Sequence, residues 1–90
     1  MAAKGSRHAN NSVVLAESIL DKLDGVPWPL VAFLELTHTQ SVRLHTYRSN
    51  DPEVDRLNAT KGYAWVGCYS RGASKSQVIE DINETMARIR

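Results

Sequence analysis

The stretch from Gly67 to Gln77 constrains the fold most, because it predicts a strand that turns directly into a helix. It ends an apolar run and opens an amphipathic one, and glycine permits the sharp turn between them. Ser74, with Gln77 three residues later, forms a capping-box pattern that is typical of a helix start. Such a start directs free backbone N–H groups and the positive end of the helix dipole outward. With Arg71 and Lys75 alongside, the stretch predicts an anion site, and phosphate is the anion we expect.

The rest of the chain predicts one α+β domain over residues 12–90, preceded by a polar, basic and flexible arm at residues 1–11. Ninety residues suffice for a single domain with a modest core. Hydrophobic periodicity and turn residues predict three antiparallel strands, two helices on one face of the sheet, and a short extra helix between strands two and three. The expected elements, in chain order, are a helix from Asn11 or Ser12 to residue 23, strands at 30–36 and 41–48, a short helix within 51–58, a strand at 63–70 and a helix from 75 onward.

Strict alternation along the third strand puts Tyr63, Trp65 and Tyr69 on one face and Cys68 in the core on the other. Two helices on one side of a three-stranded sheet leave the second face bare, and an exposed apolar face usually marks an interface. Either the segment 51–58 folds over that face or a partner covers it. We favour a partner, which can be a second copy, with the three aromatic residues as its contact surface.

Four short motifs occupy comparable places in these elements: Leu15-Ala16-Glu17, Gly25-Val26-Pro27-Trp28-Pro29, His38 with Val42, and Gly72-Ala73-Ser74-Lys75. Together with the order of the elements, they resemble the double-stranded-RNA-binding domain over roughly residues 12–90. Ser76 and Ile79 stand where that family has two of its three phosphate-contacting lysines.

The resemblance implies a non-catalytic module that binds duplex RNA by shape, through two successive minor grooves and the phosphates between them. Glu17 would contact the first minor groove and His38 the second. Lys75, with Arg71 and Ser74 at the helix start, would contact the phosphates. One lysine in place of three releases fewer counterions, so the implied binding is weak.

Two other functions fit the same sequence. One is a stand-alone protein-interaction or inhibitor protein of the phage or mobile-element type, which can be homodimeric through its sheet. The other is a binder of a nucleotide or another small anion at the start of the last helix. The net charge of +1 lacks the basic excess of a dedicated nucleic-acid binder.

Catalysis, metal binding and membrane insertion find no support in the sequence. The histidines and Cys68 lack the close spacing of metal ligands, and no nucleophile has a base and an oxyanion site beside it. We therefore expect no enzyme activity, no cofactor and no metal. A single cysteine suits a reducing compartment, and no segment reaches the roughly 18 apolar residues of a membrane span. The predicted location is the cytoplasm.

Overall fold

The computed structural model describes the backbone of residues 2–89 and the side chains of residues 11–89. Within these residues the chain forms three helices and one three-stranded antiparallel sheet, so the α+β prediction is confirmed. No helix in this described part is long and apolar enough to cross a membrane. The elements are α1 (Ala2–Leu23), β1 (Leu30–Leu36), β2 (Val42–Arg48), α2 (Glu53–Asn58), β3 (Tyr63–Tyr69) and α3 (Lys75–Ile89).

Helix α1 begins at Ala2, N-terminal to the start predicted at Asn11 or Ser12. Ser12 therefore lies inside the helix, where it is fully buried and donates a 2.6 Å hydrogen bond to Asn83 Oδ1 of α3. The side chains of residues 1–10 lie outside the described residues. The flexibility of residues 1–11, and a domain boundary at residue 12, stay predictions.

Strand β1 is the centre of the sheet, with β2 and β3 as its edges. Every residue from Leu30 to Leu34 is buried. Such a continuous buried run is expected of a central strand that is covered on both faces. Leu30 pairs with both Arg48 and Tyr69 at one end of the sheet. Strands β2 and β3 therefore run in the same direction, on either side of β1.

The larger core lies between the sheet and the two long helices, α1 and α3. Side chains at helical spacing on both helices pack against alternate residues of the strands. The buried members are Ala16, Ile19, Leu23, Leu30, Ala32, Leu34, Val66, Tyr69, Val78, Ile82 and Met86.

Helix α2 lies on the opposite face of the sheet, where it covers the centre of that face. Val54 and Leu57 form a second core with Val31 and Phe33, which are 1% and 0% exposed. Our preference for a partner over this part of the sheet is therefore wrong, because the segment that follows β2 folds back and buries it.

A β-bulge in β3 changes which of its side chains share a face. The register against β1 shifts between Ala32 and Phe33, which makes Val66 an extra residue. Beyond the bulge, Tyr69 is buried on the helix side, whereas Cys68 is exposed. The prediction of Cys68 in the core is wrong, because strict alternation makes no allowance for an extra residue.

Candidate functional site

The start of α3 has the geometry that the sequence predicts. Gln77 N donates to Ser74 Oγ at 3.2 Å, which is the first of the two hydrogen bonds of a capping box, and Gly72 has a φ of 100° in the turn. A cleft of about 370 Å³ lies in front of this helix start. It is lined by residues 68–74 together with Gln77 and Asp81.

Lys75 at this helix start lies beside a carboxylate, and Arg71 shares a cleft with two others. Lys75 Nζ is 3.9 Å from Glu17 Oε1 of α1, so the structure brings together two residues of the predicted RNA site. Arg71 borders a second cleft of about 340 Å³, which Asp21 and Asp24 at the end of α1 also line. An anion bound here would be repelled by these carboxylates, which weakens the attraction of the helix start for phosphate.

His38 lies at the other end of the sheet from Lys75. It is exposed in the hairpin that follows Leu36, whereas Lys75 follows Tyr69, which pairs with Leu30. Strand β1 has seven residues, so about 20 Å separates its two ends. The structure therefore does not bring His38 into one cluster with the other predicted RNA contacts.

The predicted aromatic contact surface is divided between the two faces of the sheet. Trp65 is 36% exposed and packs edge-on against Phe33, with 5.6 Å between ring centroids. Tyr63 packs against the His45 ring at 5.1 Å. Tyr69 does not share their face, because the bulge turns it toward the helices, where it is 5% exposed.

Tyr69 is a buried hydrogen-bond donor at the base of the α3 cleft. Its hydroxyl donates to Asp81 Oδ2 at 2.6 Å. Burial raises the pKa of the Tyr69 hydroxyl, and the hydrogen bond and negative charge of Asp81 raise it further. This tyrosine therefore keeps its proton over the ordinary pH range and acts in packing.

Among the described residues, no group of three or more histidine, cysteine, aspartate or glutamate side chains could hold a metal ion. His45 Nε2 lies 2.8 Å from Glu35 Oε1 in a half-buried pair on the α2 side of the sheet. Cys68 has a free, exposed thiol.

One outward carbonyl of β3 is bonded to side chains of α3. Trp65 O accepts a hydrogen bond from Arg88 at 3.0 Å and a longer one from Thr85 Oγ1 at 3.4 Å. The bulge at Val66 further interrupts this edge. Both features hinder the addition of another strand beside β3.

The hydrogen bonds at the two ends of β2 show which of its residues face β1. Ser41 O accepts from Thr37 N, and Ser49 N donates to Pro29 O, both at 2.9 Å. In an antiparallel pair, residues alternate between those that bond to the neighbouring strand and those that point away. The odd-numbered residues of β2 therefore bond to β1.

The even-numbered residues Val42, Leu44 and Thr46 direct their backbone N–H and C=O groups away from the sheet. Within the described residues, no hydrogen bond reaches these backbone groups. The pairing of β2 with β1 is also regular along its whole length, without a bulge. Strand β2 thus presents an open edge on which another strand can form hydrogen bonds.

Cationic side chains flank this open edge. Arg43 and Arg48 of β2 are exposed, and Lys22 Nζ of α1 donates to Thr46 Oγ1 at 3.1 Å. None of these three residues belongs to a motif that predicts a site. In the sequence, apolar residues alternate with Arg43, His45 and Tyr47, and this pattern predicts a strand. It does not indicate whether that strand is central or at an edge of the sheet.

No protein-family model, curated protein or solved structure matched this chain in the three comparisons with known proteins.

Proposed function

We propose that this chain is a non-catalytic protein-interaction module that accepts an extended segment of a partner protein along the open edge of β2. One observation carries the proposal. The outward N–H and C=O groups of Val42, Leu44 and Thr46 have no hydrogen-bond partner among the described residues, and β2 has no bulge, whereas at the β3 edge Arg88 and Thr85 bond to Trp65 O and a bulge interrupts the strand.

Strand addition uses this kind of edge, since backbone hydrogen bonds give affinity and flanking side chains give specificity. Leu44 lies half-buried on the helix side of β2, and Tyr47 lies half-buried on the α2 side. The alternate side chains of an added strand would contact Leu44 on one face of the sheet and Tyr47 on the other. An exposed thiol such as Cys68 stays reduced in the cytoplasm, which is where we expect this module to act.

Amide hydrogen exchange on the isotopically labelled full chain tests this proposal. The probes are synthetic strand-forming peptides of equal length that repeat Glu-Glu-Val-Val, Lys-Lys-Val-Val or Thr-Thr-Val-Val, here called Glu/Val, Lys/Val and Thr/Val, so that each presents its polar side chains on both faces of the strand. Without peptide, the Leu44 and Thr46 amides should exchange quickly, while the His45 amide, bonded to β1, exchanges slowly. Bound peptide should slow exchange at Leu44 and Thr46 by about tenfold or more and leave His45 unchanged.

A proline substitution provides the matched variant. Thr46→Pro removes an outward N–H group, which an edge strand tolerates, and it should abolish peptide binding. Thr46→Val keeps that N–H group while it loses the hydroxyl that Lys22 contacts, and should still bind. The proposal fails if no peptide binds the wild-type chain, or if protection develops away from β2.

A further inference from the structure

We infer, on the basis of the proposed function, that the segment which pairs with β2 is acidic. Strand β2 carries Arg43, His45 and Arg48 and contains no aspartate or glutamate. Lys22 adds a third permanent cation through its contact with Thr46. The open edge therefore combines unpaired backbone groups with cationic side chains, on a strand that has no carboxylate of its own.

These three cations have no carboxylate partner among the described side chains. The ion pairs in this part of the chain are His45 with Glu35, Arg56 with Glu53, and Lys75 with Glu17. Glu35 is the residue opposite Arg43 in the β1–β2 register, yet its carboxylate contacts His45. The charges of Arg43, Arg48 and Lys22 thus remain available to a ligand.

The cations lie on both faces of the strand. Arg43 shares the α2 side with Phe33, whereas Arg48 and the Lys22–Thr46 contact lie on the side of the long helices. Arg48 lies five positions after Arg43, which corresponds to about 17 Å along a strand. A matching partner is an extended segment of about six residues, with carboxylates near both of its ends.

The same charges disfavour a second copy of this chain as the occupant. Pairing of two β2 strands would bring Arg43, Arg48 and Lys22 of both copies into one ribbon. Like charges on neighbouring strands destabilise pairing, and no carboxylate of β2 would offset them. Charge complementarity therefore selects an acidic segment of another protein.

Peptide binding measured by fluorescence anisotropy at low and high salt tests the inference, with the same three repeats. The Glu/Val peptide should bind about tenfold more tightly than the Thr/Val peptide at low salt, and the gap should narrow as salt screens the charges. The Lys/Val peptide should bind least.

Single-charge variants locate the effect. Arg43→Gln and Arg48→Gln should each weaken Glu/Val binding about three- to tenfold and leave Thr/Val binding unchanged. Lys61→Gln is the matched control, since Lys61 is exposed and precedes β3 on the far side of β1; it should change neither affinity.

Each other outcome has a distinct meaning. Equal binding of all three peptides, with protection of Leu44 and Thr46, would overturn the inference and leave the proposed function standing. Failure of all three to bind would overturn the proposed function itself. A dimer by light scattering, with Leu44 protected in the absence of peptide, would identify a second copy as the occupant. Displacement of the Glu/Val peptide by duplex RNA would identify a nucleic acid instead.

Discussion

The side chain of Tyr69 packs so closely on Gly67, at the end of β3, that position 67 has no room for a β-carbon. A β-carbon on Gly67 would lie 2.6 Å from the Tyr69 hydroxyl oxygen, closer than such atoms approach in proteins. The tyrosine cannot swing away easily, because it is buried and its hydroxyl is bonded to Asp81. Glycine at position 67 thus serves close packing as well as the turn that follows.

Tyr69 should make the stability of the fold depend on alkaline pH. Because the pKa of this buried tyrosine is raised, its contribution is fully present below the unfolded tyrosine pKa of about 10 and declines as the pH rises above it. Urea denaturation between about pH 8 and pH 11 should show this decline in the free energy of unfolding. This decline should be smaller in Tyr69→Phe and should persist in the matched control Tyr47→Phe. Identical dependence of the free energy of unfolding on pH in Tyr69→Phe and the wild type would show that Tyr69 is not its source.

Helix α2 buries the centre of one face of the sheet, although it has only six residues. Val54 and Leu57 are three positions apart, so they lie on the same side of the helix and reach the sheet together. The spacing of these two residues is visible in the sequence. It does not say whether they bury the chain's own sheet or contact another molecule, because both uses need the same apolar pair.

Leu57→Ala should lower the free energy of unfolding by about 2–5 kcal/mol, because Leu57 is 1% exposed and its loss leaves a cavity over Phe33. Asn58→Ala, at the exposed neighbouring position, should change it by less than about 0.5 kcal/mol. Chemical denaturation of the two variants gives the comparison. Equal stabilities would mean that α2 does not hold this face of the sheet.

The order of the strands determines where the charged side chains lie on the molecule. Because β1 is central, the arginines of β2 lie on one edge of the sheet, whereas the start of α3, which shares a cleft with Asp21 and Asp24, follows the other edge strand, β3. The same order puts His38 and Lys75 at opposite ends of β1. A surface that combines these two residues as RNA contacts would have to span the length of the sheet.

Duplex RNA binding should therefore depend little on Lys75. Lys75 lies close to Glu17, whose carboxylate repels phosphate, so we expect no phosphate contact at Lys75, and Lys75→Ala should leave the dependence of affinity on salt unchanged. Titration of the full chain with a short RNA duplex at several salt concentrations measures that slope, and Ser76→Ala is the control. A slope that falls by about one in Lys75→Ala would favour the RNA-binding function that the resemblance implies.

Local patterns predicted much of this fold. Leu30 to Leu36 reads as a buried strand, Ser74 with Gln77 marks a helix start, and the structure has both where the sequence puts them. These features arise from interactions between residues that are near each other along the chain, so the sequence contains them directly. The polar and charged residues at the start of α3 were likewise visible in the sequence as one group, namely Arg71, Ser74 and Lys75.

The sequence by itself thus determined the α+β class, the order of the elements and the turn into α3. The tertiary structure alone decided that β1 is central, that Val66 is a bulge and that β2 keeps an open edge. Strand order and register depend on which arrangement of distant segments buries the most apolar surface, and no local pattern reports that comparison. The candidate site belongs to this second class, since an edge strand and a central strand differ only in what lies beside them.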